Sequence, residues 1–130
     1  LLHPGPANDH AVARLTIAAD TTAVLAATFS GIDEVGSTTD VHVLLNGVSL
    51  FDGLVAGFAT SASYTAVLSL SAGDILDFTV GWGANGNFVD DSTGFVATLA
   101  TADVAEPASA ALLAMAATGL AGIRRRRFWA

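Results

Sequence analysis

Apolar and polar side chains alternate with a period of two through most of this chain, the spacing of a strand with one face buried. Residues 12–19 (VARLTIAA) put Ala13, Leu15, Ile17 and Ala19 on one face and Arg14 and Thr16 on the other. Asp20-Thr21 reads as a turn, and 22–29 (TAVLAATF) as a second strand with Leu25 and Phe29 on one side. After a Gly/Ser/Thr/Asp-rich loop at 30–39 comes DVHVLLNGVSLFDG at 40–53. Its Asn46-Gly47 supplies the two positive-φ residues of a type I′ hairpin turn. That turn pairs Leu45 with Val48, Val43 with Leu50 and His42 with Phe51. Residues 54–60 (LVAGFAT) fit a weak strand or a crossover. In 62–70, Tyr64, Ala66, Leu68 and Leu70 share a face, and in 75–82 Leu76, Phe78, Val80 and Trp82 oppose Asp77 and Thr79. A loop at 83–93 and a last strand at 95–100 complete the series. The opening, residues 1–10, holds two prolines around a glycine and reads as a loop. About seven short strands divided by Gly/Asp/Asn turns predict an all-β, antiparallel β-sandwich, jelly-roll-like, over residues 1–103.

The pattern changes after Glu106-Pro107. Proline lacks an amide hydrogen and forces the residue before it out of helical geometry, so the pair marks a boundary. Residues 108–123 are uncharged, small or aliphatic, and rich in Ala and Leu. They predict a C-terminal transmembrane helix, rising roughly 24 Å at about 1.5 Å per residue, slightly short of a hydrocarbon core of about 30 Å. Arg124, Arg125, Arg126 and Arg127 follow at once. Such a cluster stays on the cytoplasmic side and places everything before it outside.

The ending Val104, Ala105, Glu106 and Pro107, then helix, then four arginines, resembles the PEP-CTERM sorting signal. Glu106-Pro107 matches the last two motif positions, and Ala105 stands where that family usually has proline. The resemblance implies an exosortase-type transpeptidase as partner, removal of the helix, and a membrane-anchored precursor that ends at the cell surface or in the extracellular matrix of a Gram-negative-type bacterium. The stretch from His3-Pro4-Gly5-Pro6 through the hairpin and SAGDILDFTVG to Asp91-Ser92-Thr93 is also similar to a domain common in PEP-CTERM proteins, which usually carry further residues upstream. The chain starts at Leu1 without methionine or secretory signal while its tail demands export, so upstream residues are expected to be missing.

The formal net charge is −7, yet every cation except Arg14 lies in the tail, so the region before it sets the chain's 12 acidic side chains against one arginine. No basic surface is left for nucleic acid. With no cysteine, there is no disulfide framework, thiolate metal site or Cys nucleophile.

Candidate chemistry concentrates in the loop after Trp82. Trp82 with Asn85, Asn87, Phe88, Asp90 and Asp91 combines an aromatic face with short amides and carboxylates, the means by which proteins hold the C–H face and hydroxyl rim of a sugar. The same residues serve ordinary turns, with Trp82 capping a strand end. Asn85, Asn87, Asp90 and Asp91 also offer oxygens to calcium, as do Asp33, Glu34 and Asp40, although no EF-hand spacing is present. His3, Asp9 and His10 flank the Pro-Gly-Pro turn as a weak metal or acid–base set, and His42 reads as a packed or edge histidine rather than a ligand. Asp74 closes the Gly73 turn and Asp77 points to solvent. No Gly-x-Ser-x-Gly elbow, His-Glu-x-x-His helix or phosphate-cradling loop exists, so no catalytic residue or obligatory cofactor is expected. The sequence thus predicts a non-enzymatic exported surface or matrix protein that is adhesive or binds an extracellular polysaccharide. The alternatives are a self-associating sheath component and an accessory domain of a larger exported enzyme.

Overall fold

The computed structural model describes residues 1–102, so the sorting motif, helix and arginine cluster expected at 104–130 lie outside the described residues. Seven strands run in order: β1 Ala11–Thr16, β2 Thr21–Gly31, β3 Thr38–Leu45, β4 Val48–Ala56, β5 Ser61–Leu70, β6 Ile75–Val80 and β7 Thr93–Thr101, with a short 3-10 turn at Gly83–Asn85. They form a four-stranded sheet, β1-β6-β3-β4, and a three-stranded sheet, β5-β2-β7. All pairings are antiparallel. The two-layer, all-β arrangement agrees with the alternation in the sequence. The strand count is one below the eight of a jelly roll.

The core lies between the sheets. Leu25, Ala27 and Phe29 of β2 meet Val41 and Val43 of β3, Val55 of β4, and Leu76, Phe78 and Val80 of β6. Phe95 of β7 sits between the layers, its ring 5.2 Å from Phe29 and 5.0 Å from Phe78. A buried hydroxyl pair, Thr39 Oγ1 to Thr93 Oγ1 at 3.1 Å, ties β3 to β7 across the layers. Each of these strands presents every second side chain inward, as the sequence pattern requires.

Several details differ from expectation, among them that β6 ends at Val80, so that Trp82, predicted on its inward face, lies beyond the strand before the 3-10 turn. Leu15, predicted on a buried face, is 41% exposed. It belongs to β1, the edge of the wider sheet, which the narrower sheet opposite covers only in part. In the β3–β4 hairpin, Leu45 pairs with Val48 as the Asn46-Gly47 turn dictates, but the register shifts between Val43 and Leu44. Leu50 is the extra residue of a β-bulge, so Val43 faces Phe51 and His42 faces Asp52, one position beyond the predicted partners. The ambiguous 54–60 stretch divides: Leu54, Val55 and Ala56 extend β4, and a turn with positive φ at Gly57 and Ala59 leads into β5.

Candidate functional site

The outer face of the four-stranded sheet carries the polar cluster. On β3, Thr39, Val41 and Val43 are buried, so the intervening Asp40 and His42 point outward, two residues apart on one strand face. The bulge in β4 brings Asp52 opposite His42. His10 lies just before β1, on the outward side of its alternation with Val12. Between β1 and β3 runs β6, and directly after it Gly81 donates its amide to the Asp40 carbonyl at 2.8 Å. A Cβ at Gly81 would stand 2.5 Å from Asp40 Oδ1 and 2.8 Å from His10 Nε2. The missing side chain is therefore what lets His10 reach over β6 to Asp40.

The resulting contacts are short and directional. His42 Nε2 lies 2.8 Å from Asp40 Oδ2 and His42 Nδ1 lies 2.6 Å from Asp52 Oδ1. The Gly83 amide holds Asp40 Oδ1 at 2.8 Å, and Ser49 Oγ donates to Asp52 Oδ1 at 2.8 Å. The His10 ring stacks on His42 with centroids 5.8 Å apart and planes 20° from parallel. Burial lowers the His42 pKa, but its hydrogen bonds to two carboxylates outweigh burial and raise it above the ordinary histidine value. A carboxylate only accepts, so a histidine between two of them favours both N–H groups. For Asp40, burial pushes upward, and the bonds from His42 and the Gly83 amide overcome it and hold the carboxyl below its usual range. The His42 bond does the same for the exposed Asp52. One donor atom each from His10, Asp40 and His42 lies within 4.8 Å of the others, close enough to share a cation.

Beside this cluster opens a cleft of ≈ 510 Å³ lined by Asn8, His10, Asp40, Leu54 and Trp82, with Gly83, Ala84 and Gly86 next to them. Trp82 is half-buried, and its Nε1 donates to the Gly5 carbonyl at 2.7 Å, pinning the opening loop to the sheet. That loop is further tied by reciprocal bonds of 2.9 Å between Leu2 and Thr93. His3, Asp9 and His10 are exposed in that loop, while Pro4 is buried.

The structure redistributes the residues picked out from sequence. Trp82 reaches the cleft, but most of its predicted companions serve the loop itself. Asn85 Oδ1 accepts the Asn87 amide at 3.2 Å, its Nδ2 donates to the Gly36 carbonyl at 3.3 Å, and Asn87 Oδ1 accepts the Val89 amide at 2.9 Å. Phe88 packs 6.5 Å from the Trp82 ring and 6.3 Å from His3. Asp90 is exposed at φ 60°, whereas Asp91 is 0% exposed, with Oδ1 accepting the Thr38 amide at 3.1 Å. Asp33 takes the Ser92 amide at 2.6 Å, a different task from that of Asp40. His3 bonds the Pro4 carbonyl at 2.8 Å, so the pairing of histidines is His10 with His42, not His3 with His10. His42, expected as a packed or edge histidine, is partly buried and bonds two carboxylates, and the second of these, Asp52, faces it because of the unpredicted bulge. Asp74 closes its turn by accepting the Ser71 amide, as expected, and Asp77 forms a two-point ion pair with Arg14 at 2.7 and 2.8 Å.

No protein-family model and no curated protein matches this sequence. Among solved structures the chain is similar to a cycloisomaltooligosaccharide glucanotransferase of Paenibacillus sp. complexed with cycloisomaltoheptaose, at 13% identity and a TM-score of 0.40. That similarity covers 77% of this chain and 13% of the enzyme's chain. So loose a likeness carries no functional argument.

Proposed function

We propose that this chain is a non-enzymatic, exported surface or matrix protein whose sandwich binds a glycan in the cleft beside Trp82. The observation that carries the reading is the make-up of that cleft, where one indole stands among Asn8, His10 and Asp40. An indole offers an apolar face to sugar C–H groups, and short amide, imidazole and carboxylate groups exchange hydrogen bonds with the hydroxyl rim. The contact surface is thereby moved from the loop as a whole to the side of it that faces His10 and Asp40. The sorting-signal resemblance of residues 104–130 and the acidic character of the region before them support delivery outside the cell. An array of extracellular polysaccharides probed with the full chain in detergent tests the reading: binding that disappears in Trp82→Ala is expected, and uniform absence of binding overturns it.

A second reading, self-association into a sheath, is favoured by a different observation. Strands β2, β5 and β7 contain no charged residue, and Val67 and Val96 are about two-thirds exposed. Proteins that must stay monomeric usually guard such edges with lysine or proline. Concentration-dependent sedimentation abolished by Val67→Lys supports this role, and it leaves Trp82→Ala without effect on assembly.

A further inference from the structure

We propose that His10, Asp40 and His42 form a binding site for one divalent cation of the zinc class, with Asp52 as the supporting carboxylate behind His42. The inference does not depend on the glycan reading. Two imidazole nitrogens and one carboxylate oxygen are the donor set of borderline ions such as Zn²⁺, whereas calcium seeks six to eight oxygens. Three protein donors also leave a fourth position open, the arrangement of zinc sites that receive an outside ligand. That position opens on the cleft that His10 and Asp40 line.

The neighbours of these residues are arranged as a metal site needs. A ligating histidine commonly donates its other ring N–H to a carboxylate, which fixes tautomer and ring orientation. His42 does so through Nδ1 to Asp52 at 2.6 Å, and Asp52 is itself held by Ser49 Oγ at 2.8 Å. Asp40 is anchored by the Gly83 amide on Oδ1, which leaves Oδ2 directed at His42 Nε2. In the ion-bound form the cation takes the place of the hydrogen between those two atoms. The third donor arrives because Gly81 has no side chain: a methyl there would fall within 3 Å of both the Asp40 carboxylate and His10 Nε2.

Distances are compatible with closure. The three donors already lie within 4.8 Å of one another. Bonds of about 2.0–2.1 Å require tetrahedral edges of roughly 3.3 Å, so the loosest pair closes by at most about 1.5 Å and the His42 Nε2–Asp40 Oδ2 pair, now 2.8 Å apart, opens by about 0.5 Å. His10 is exposed and precedes β1, so ring rotation and a small shift of its loop supply the closing movement, while small side-chain rotations of His42 and Asp40, whose backbones are held in β3, supply the opening.

Calorimetric titration of the EDTA-treated full chain with ZnCl₂ tests the site. One equivalent is expected to bind, with His10→Ala and His42→Ala each weakening the affinity at least tenfold and Asp52→Asn by about 10- to 100-fold. Gly81→Ala is expected to weaken binding while the far-UV spectrum stays that of the wild type. His3→Ala leaves the affinity unchanged, and CaCl₂ in excess does not displace the ion. Absence of saturable Zn²⁺ binding overturns the proposal, as does equal affinity in His10→Ala and wild type, since His10 is exposed and its loss leaves the fold intact. Displacement by calcium also overturns it, because an oxygen-rich site elsewhere is then responsible.

Discussion

His42 Nδ1 stands 2.6 Å from Asp52 Oδ1 across the β3–β4 ladder, where an unbroken hairpin would have placed Phe51. The bulge at Leu50 is thus what supplies His42 with its second carboxylate. In metal-free protein this has a pH signature. A histidine whose folded-state pKa is raised contributes stability that is fully present below its unfolded value, near 6.5, and lost as pH rises through the folded value. Denaturation midpoints measured in EDTA are expected to fall over that interval in wild type relative to His42→Gln. Asp52→Asn moves the His42 titration, followed by NMR, back toward the ordinary value.

Asn46 holds its turn in two ways. It sits at φ 52°, which asparagine tolerates better than most residues, and its side chain bonds both Asp74 Oδ1 and the Ile75 amide at 2.9 Å. Asn46→Ala gives up the local tolerance of positive φ and two exposed hydrogen bonds. A loss of about 2 kcal/mol in urea denaturation is expected, combining roughly 1 kcal/mol of backbone strain with about 0.5 kcal/mol for each bond. Asn46→Gly, which keeps only the backbone freedom, is expected to lose less.

How much of this was legible beforehand depends on whether a feature is local. The inward faces of β2, β5 and β6 follow directly from alternation, and Leu25, Phe29, Leu76, Phe78 and Val80 are buried as the pattern implies. Asn46-Gly47 fixed the turn because its dihedral requirement is carried by two adjacent residues. The site was less legible because it depends on strand order. Asp40 and His42 are visibly two apart, but their union with His10 needs β6 between β1 and β3 and a glycine at the crossing point. Neither alternation nor composition encodes that neighbourhood. The bulge is equally hidden, since Ser49, Leu50 and Phe51 read as uninterrupted strand. In the loop after Trp82 both readings were open from sequence, and there Asn85 and Asn87 accept backbone amides of the loop itself while Asp91 accepts the amide of Thr38 at the start of β3.

Trp82 has a structural task separable from any ligand contact. Trp82→Phe keeps an aromatic face but removes the hydrogen bond to the Gly5 carbonyl. A cost of about 1 kcal/mol is expected for one such bond. Amide exchange is expected to quicken at Gly5, whose carbonyl Trp82 holds and whose amide donates to the Asp9 carbonyl at 2.7 Å. If exchange there is unchanged, the Leu2–Thr93 and Gly5–Asp9 backbone bonds hold the segment without Trp82.

The tail makes a prediction from sequence. If Glu106-Pro107 belongs to a processing signal, converting both residues to alanine leaves residues 108–130 attached. Fractionation of the native host is then expected to find the variant in membranes and the wild type outside the cell. Identical mass and location for the two would dismiss the sorting assignment.

Asp91 opposes its own surroundings. It is 0% exposed, and while Oδ1 accepts the Thr38 amide, Oδ2 has no hydrogen-bond partner among the described residues. Burial, with nearby Asp33, raises its pKa above the usual carboxylate value, beyond what the Thr38 amide, the adjacent Asn85 side chain and His3 restore. For an acid the sign is the reverse of the paired carboxylates: the folded state prefers the neutral form, so stability is lost as pH rises from the ordinary carboxylate range through the folded value. Asp91→Asn retains an oxygen for the Thr38 amide and removes the buried charge. Relative to wild type, this variant is expected to gain stability as pH increases through that window, with a constant difference above it. Asp91→Ala loses the acceptor as well, leaving the Thr38 amide unpaired, and is expected to be less stable than Asp91→Asn by about 1–3 kcal/mol. Paired denaturation curves at several pH values check both statements, and a wild-type advantage that grows with pH would mean that the carboxylate has a cationic partner in solution.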